Sequence, residues 1–229
     1  MSFVKSNGKN IYFEHYESKN GKNIFTMPGH ASGITRSPTI QHFRDLAIEN
    51  GYGFTGCDLA GYYKSEGKPK PWQIEEWLQN ALDVYDEINT KNNIVVGSSM
   101  SGYLSLAFAM LRPEKLIGLI GFVPGFGAPF REYRADKPYI GDFENKVQIN
   151  INTKDPDTSF NFIETPLNIN VPYLAITGLK DDVVSYKSSL KIVENIKSSN
   201  AQVYISKEGA HTTYAVNSMP IIFDFINRL

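Results

Sequence analysis

Short apolar runs alternate with longer amphipathic stretches along most of the chain. The runs are three to eight residues long, and some alternate between apolar and polar positions, which is typical of strands. Several are apolar throughout, as expected for strands that are buried on both faces of a sheet. The pattern predicts strands at 11–16, 24–27, 52–57, 93–97, 116–123, 173–177 and 203–205.

Apolar side chains recur at helical spacing between the strands. The clearest helix is predicted over 74–88, where apolar residues form one face and acidic residues lie on the other. Further helices are predicted over 38–50, which Gly51 closes, and over 186–197 and 220–229. Another is predicted to start directly after the strand at 93–97 and to carry Leu104, Ala107, Phe108 and Leu111. Strands that alternate with helices predict a mostly parallel sheet with helices on both faces. Ligands bind such sheets at the carboxyl ends of the strands.

Composition narrows the class of protein. A chain of 229 residues with 41% hydrophobic and 21% charged residues suits one globular domain covering 1–229. The net charge of −1 gives no sign of a nucleic-acid partner. No stretch approaches the roughly 20 apolar residues of a membrane span, and the N-terminus does not resemble a signal peptide. The single cysteine, Cys57, fits a reducing compartment, so we expect a cytoplasmic protein.

The segment Gly97–Gly102 lies between a predicted strand and a predicted helix. A serine on such a sharp turn projects its hydroxyl into the cleft, and small residues two positions away on either side allow the turn. Ser99 is therefore a candidate nucleophile, although Ser101 stands where the usual pattern has glycine. The alternative interpretation of Ser99 is a helix N-cap.

A candidate acid and a candidate base also follow predicted strands. A carboxylate at Asp181 could hold a histidine in its useful tautomer. The alternative for Asp181 and Asp182 is an ordinary turn or N-cap role before the helix at 186–197, and for Asp182 that role is favoured. His211 follows the last predicted strand, whereas His15 and His42 lie within elements and are interpreted as structural. Each candidate alone is weak. Together, Ser99, Asp181 and His211 have the chain order of an α/β-hydrolase triad.

An oxyanion hole requires two backbone N–H groups near the nucleophile. The amide of Met100, at the start of a helix, is one candidate, and that of His30, after the second predicted strand, is the other. The alternative for the segment around His30 is an ordinary Pro-Gly turn. No zinc-ligand spacing and no phosphate-binding glycine motif is present, so we expect neither a metal nor a cofactor.

At these residues the chain resembles α/β-hydrolases over nearly its full length. It is most similar to the branch that includes the mitochondrial palmitoyl-protein thioesterase, also described as mycophenolic acid acyl-glucuronide esterase, and its bacterial relatives. The similarity rests on the segments 27–29, 57–61, 65–67, 77–78, 97–100, 112–115 and 178–184. It implies the α/β-hydrolase fold, a triad of Ser99, Asp181 and His211, and oxyanion amides at His30 and Met100.

The chain departs from this family at several positions. Ser101 and Tyr63 replace usual glycines, and Ser185 stands where the family often has proline. The family fold places a small cap insertion after the sixth strand, which here corresponds to about 124–168. This segment carries aromatic side chains that could shape an acyl pocket or simply pack on the sheet: Phe126, Phe130, Tyr133, Tyr139, Phe143, Phe160 and Phe162.

These features predict a serine hydrolase that cleaves carboxylic esters or thioesters through an acyl-enzyme. The substrate would be a small-molecule acyl ester or thioester, or an acylated protein. Two alternatives stay open. One is a peptidase or carbon–carbon bond hydrolase that uses the same triad, and the other is a non-catalytic binding or receptor module. The complete triad argues against the second alternative.

Overall fold

The computed structural model describes residues 2–30, 32–68, 74–125, 166–211 and 214–229. Its eight strands form one sheet in the order β1-β2-β4-β3-β5-β6-β7-β8. Only β2 runs against its neighbours, and the pairs from β4 to β8 are parallel. The strands are β1 Ser2–Ser6, β2 Lys9–Tyr16, β3 Asn23–Met27, β4 Gly53–Cys57, β5 Asn93–Ser98, β6 Leu116–Phe122, β7 Tyr173–Gly178 and β8 Ala201–Ser206.

Helices cover both faces of this sheet. The strand order and this helix arrangement together are the α/β-hydrolase fold expected from the sequence. They are α1 Pro38–Glu49, α2 Ile74–Ile88, α3 Ser101–Leu111, α4 Tyr186–Asn195 and α5 Tyr214–Asn227. One apolar cluster joins α2, α3 and α4 to one face, and a second joins α1 and α5 to the other. None of the helices in the described ranges is long and apolar enough to cross a membrane.

Local sequence signals set the ends of α1. Ser37 accepts a hydrogen bond from the amide of Ile40, and Pro38 occupies the first helical position, where its missing N–H costs nothing. At the other end, Gly51 has a φ of +80°, and the amides of Gly51 and Tyr52 donate to the carbonyls of Ile48 and Ala47. This pattern is a Schellman motif, which accounts for the glycine at that position.

Two elements differ from the sequence-based prediction. Strand β1 was not predicted, because it is an edge strand whose side chains are mostly exposed and show no apolar pattern. Helix α5 begins at Tyr214 rather than at Pro220, which lies inside the helix. Proline is common in the first turn of a helix, so its presence favoured a start that was too late.

The predicted cap lies almost entirely outside the described residues, which include only 124–125 and 166–168 of it. All seven aromatic side chains named for the cap are outside them as well. The cap and its acyl pocket therefore stay predictions.

Candidate active site

Ser99 occupies a sharp turn between β5 and α3. Its φ of +51° lies in the left-handed region, which is strained for any residue with a side chain. Three backbone hydrogen bonds hold this conformation. The Ser99 amide donates to the Phe122 carbonyl at 2.8 Å, and the Ser99 carbonyl accepts from the amides of Gly125 at 2.8 Å and Gly102 at 2.9 Å. Both the backbone amide and the backbone carbonyl of the candidate nucleophile are thus held by hydrogen bonds.

Close backbone contacts explain the small residues around this turn. A side chain on Gly97 would overlap the Ser101 carbonyl, and one on Gly102 would overlap Pro124. Ser101 itself is the first residue of α3 and is completely buried, and its hydroxyl donates a hydrogen bond to the carbonyl of Pro28. The turn therefore accommodates serine in place of the usual glycine.

The structure brings His211 to Ser99 and Asp181. Its Nε2 lies 3.0 Å from the Ser99 Oγ, and its Nδ1 lies 2.9 Å and 3.1 Å from the two Asp181 carboxylate oxygens. With its proton on Nδ1, the imidazole can accept the serine proton on Nε2. The distances are those required for a general base that acts on a hydroxyl nucleophile.

Two local amides orient the Asp181 carboxylate. Its Oδ1 accepts hydrogen bonds from the backbone N–H groups of Val183 and Val184, both at 2.8 Å, and its side chain is 0% exposed. The neighbouring Asp182 is exposed. The same aspartate therefore combines the turn role and the contact with His211, which were alternatives at the level of sequence.

The loops that carry the acid and the base are packed together. A side chain on Gly178 would overlap the backbone of Gly209. The Lys180 amide donates to the Gly209 carbonyl at 2.9 Å, and the Leu179 amide donates to the Ser206 carbonyl at 3.0 Å. Because the loops after β7 and β8 are joined in this way, Asp181 and His211 meet.

The loop after β3 lies against the Ser99 turn. A Cβ on Gly29 would be 3.1 Å from the Ser99 Cβ and 3.2 Å from the Ser98 carbonyl oxygen. The backbone amides of His30 and Met100 donate no hydrogen bond to any residue in the described ranges. Two amides that have no partner among the described residues, beside a candidate nucleophile and with one of them at the N-terminus of α3, are suited to stabilising a developing oxyanion.

The His30 side chain is held among aromatic residues. Its Nδ1 lies 3.1 Å from the Tyr62 hydroxyl, and its ring packs edge-on against Tyr62 and Trp77. Its Nε2 is buried and has no partner in the part of the chain that the structure describes. Burial lowers the pKa of His30 to about 4, so the ring is neutral at pH 7. The sequence predicted a role for the His30 amide but did not identify Tyr62, which has no motif of its own.

Asp58 ties the loops after β3 and β4 together. Its carboxyl accepts hydrogen bonds from the amides of Ile34 at 2.9 Å and Lys64 at 3.3 Å. Burial raises its pKa to about 6. Tyr63 has a φ of +42° and its ring covers Gly33, so the tyrosine in place of the family glycine lies on the same pair of loops.

The remaining candidates have structural contacts. His15 Nδ1 lies 2.8 Å from the Thr55 hydroxyl across two strands, and Cys57 is a buried free thiol. Within the described ranges, no group of three or more His, Cys, Asp or Glu side chains could hold a metal ion.

Sequence comparison relates the chain to a known branch of hydrolases. No protein-family model matches it. It is 24% identical over 227 residues to the mitochondrial palmitoyl-protein thioesterase ABHD10 of Mus musculus, a match that covers 92% of this chain and 76% of the relative.

Solved structures agree on the fold. Mouse α/β hydrolase domain-containing protein 10 superimposes with a TM-score of 0.82 at 22% identity, covering 99% of this chain and 96% of that one. Est1E from Butyrivibrio proteoclasticus, solved with bound ferulic acid, superimposes with a TM-score of 0.81 at 16% identity, covering 100% and 98%.

Proposed function

We propose that this chain, an α/β-hydrolase related to the palmitoyl-protein thioesterase ABHD10 branch, is a serine hydrolase that cleaves carboxylic esters or thioesters. The observation that carries the proposal is the continuous path of hydrogen-bonding distances from Ser99 through His211 to Asp181. The names of its relatives support the substrate class, since one is a palmitoyl-protein thioesterase and one was solved with ferulic acid.

The reaction would proceed by acyl transfer. The Ser99 Oγ attacks the carbonyl carbon while His211 Nε2 takes its proton, and Asp181 stabilises the resulting imidazolium. The amides of His30 and Met100 would bind the oxyanion, and one such donor is worth roughly 3 kcal/mol in other hydrolases. When the tetrahedral intermediate collapses, His211 gives the proton to the leaving alcohol or thiol. A water molecule then repeats the cycle and releases the acid and Ser99.

A fluorophosphonate probe tests this proposal directly, because it labels only an activated serine. We expect covalent labelling of the wild type at Ser99 and none of Ser99→Ala. An unlabelled wild type, or equal labelling of both proteins, would remove the enzyme interpretation and favour a binding module.

Substrate panels then separate the classes of hydrolase. We expect turnover of p-nitrophenyl esters or acyl-thioesters of graded chain length. Labelling without turnover of either series would instead favour a peptidase or a carbon–carbon bond hydrolase on the same triad. An acylated protein as substrate and a cytoplasmic location also stay predictions.

A further inference from the structure

Ser101 departs from the usual elbow pattern, and its side chain has a specific partner. The residue is 0% exposed, and its hydroxyl donates to the Pro28 carbonyl, 73 residues earlier in the chain. The N-cap residue of α3 is Met100, which makes no side-chain capping bond, and the Ser101 hydroxyl donates away from the helix. The bond instead links the Ser99 turn to the loop after β3.

Pro28 lies in the loop that carries the His30 amide. Pro28 directly precedes Gly29 and His30, and Gly29 lies against the Ser99 turn closely enough that its Cβ would be 3.1 Å from that of Ser99. The link therefore joins the two segments that carry the candidate oxyanion amides, since Met100 precedes Ser101 and His30 follows Pro28 by two residues. A glycine at position 101 has no hydroxyl with which to make it.

We propose that Ser101 is a positioning residue that holds the His30 amide in register with the Met100 amide. The proposal rests on the proposed function, because it concerns the oxyanion hole of that reaction. An oxyanion donor acts mainly in the transition state, so its displacement lowers kcat and leaves KM nearly unchanged. A displacement of about 1 Å can cost about 100-fold, so we expect Ser101→Ala to lose about 10- to 100-fold in kcat.

Ser105 provides a matched control one turn further along α3. It is also buried, and its hydroxyl donates to the Gly102 carbonyl at 2.7 Å, within the helix rather than to the loop after β3. Ser105→Ala thus removes a buried serine hydroxyl from the same helix without touching the link. We expect its kcat to stay within about twofold of the wild type.

The experiment measures kcat and KM on a p-nitrophenyl ester, the inhibition constant of phenylboronic acid, and the melting temperature. The tetrahedral boronate adduct of Ser99 places an oxygen in the oxyanion hole, so inhibition should weaken in Ser101→Ala by about the same factor as kcat. A merely structural serine would lower the melting temperature without this parallel loss. Ser101→Cys retains a weaker donor on a larger atom, and we expect its kcat to lie between those of serine and alanine.

The outcomes are separable. Equal kcat in the serine, cysteine and alanine proteins overturns the proposal, and so does an equal loss in Ser105→Ala. If Ser101→Ala does not fold, Ser101→Cys tests the proposal instead. A kcat of Ser101→Cys equal to that of the wild type would contradict a positioning role for Ser101. Failure of the proposed function would appear differently, as a wild type that neither reacts with fluorophosphonate nor turns over any ester.

Discussion

The buried imidazole of His30 makes the stability of the protein depend on pH in a defined direction. Its ordinary pKa of 6.5 falls to about 4 in the folded chain because burial penalises the charged ring. A lowered pKa stabilises the fold above pH 6.5, and this contribution is lost as the pH falls toward 4. Replacing His30 by glutamine removes the titration and retains a polar side chain that can accept from Tyr62.

The size of the effect follows from the two pKa values. Between pH 7 and pH 5, the unfolded chain takes up most of a proton at this residue and the folded chain takes up about a tenth of one. By proton linkage, this difference costs the wild type about 2 kcal/mol of unfolding free energy.

Asp58 acts in the opposite direction over the same interval. Its pKa rises from an ordinary 3.8 to about 6, so the folded chain takes up the proton first and gains about 1 kcal/mol as the pH falls from 7 to 5. The wild type alone would therefore show only a small net change. Comparison with His30→Gln separates the two groups, since Asp58 is present in both proteins.

The assay is urea unfolding of both proteins at pH 7 and pH 5. The stability of the wild type relative to His30→Gln should fall by about 2 kcal/mol at the lower pH. His42→Gln, at an exposed position of α1, controls for the loss of a histidine. If the difference in unfolding free energy between the wild type and His30→Gln is the same at both pH values, burial does not lower the pKa of His30.

Three further predictions test the geometry of the site. Both Ser99→Ala and Ser99→Gly should be inactive. In urea unfolding, the free energy of unfolding of Ser99→Gly should be about 1 kcal/mol higher than that of Ser99→Ala, because glycine adopts the positive φ without strain. Equal stability would mean that the turn is not strained. Gly178→Ala should cost about 2 kcal/mol and most of the activity, because its Cβ overlaps the loop that carries the histidine. Gly21→Ala has open space around it but a φ of +82°, so it should cost about 1 kcal/mol of backbone strain and retain full activity in an ester assay. Asp181→Asn should lower kcat by about 10⁴-fold and Asp182→Asn by little, and the reverse order would exclude Asp181 as the acid.

The sequence predicts seven of the eight strands, with carboxyl ends within about one residue of those observed, because local periodicity carries that information. It also distinguishes Asp181 from Asp182 through chain context, and the structure brings only the first to His211. The link from Ser101 to Pro28 could not be predicted, since no periodicity relates residues 73 positions apart. The same holds for His30, whose ring environment depends on how the loop after β4 folds back over it.

The segment 122–125 contacts the Ser99 turn and leads into the predicted cap. It is the point from which the predicted cap begins, and it binds both the amide and the carbonyl of Ser99. Val123, with a φ of +40°, also donates its amide to the Ile176 carbonyl at 2.7 Å, which anchors the segment to β7. These described contacts come from residues before position 126, so a change confined to 126–168 of the predicted cap leaves them in place. We therefore expect exchange of residues 126–168 with the matching segment of a relative to change the preferred acyl group, while fluorophosphonate labelling of Ser99 is retained.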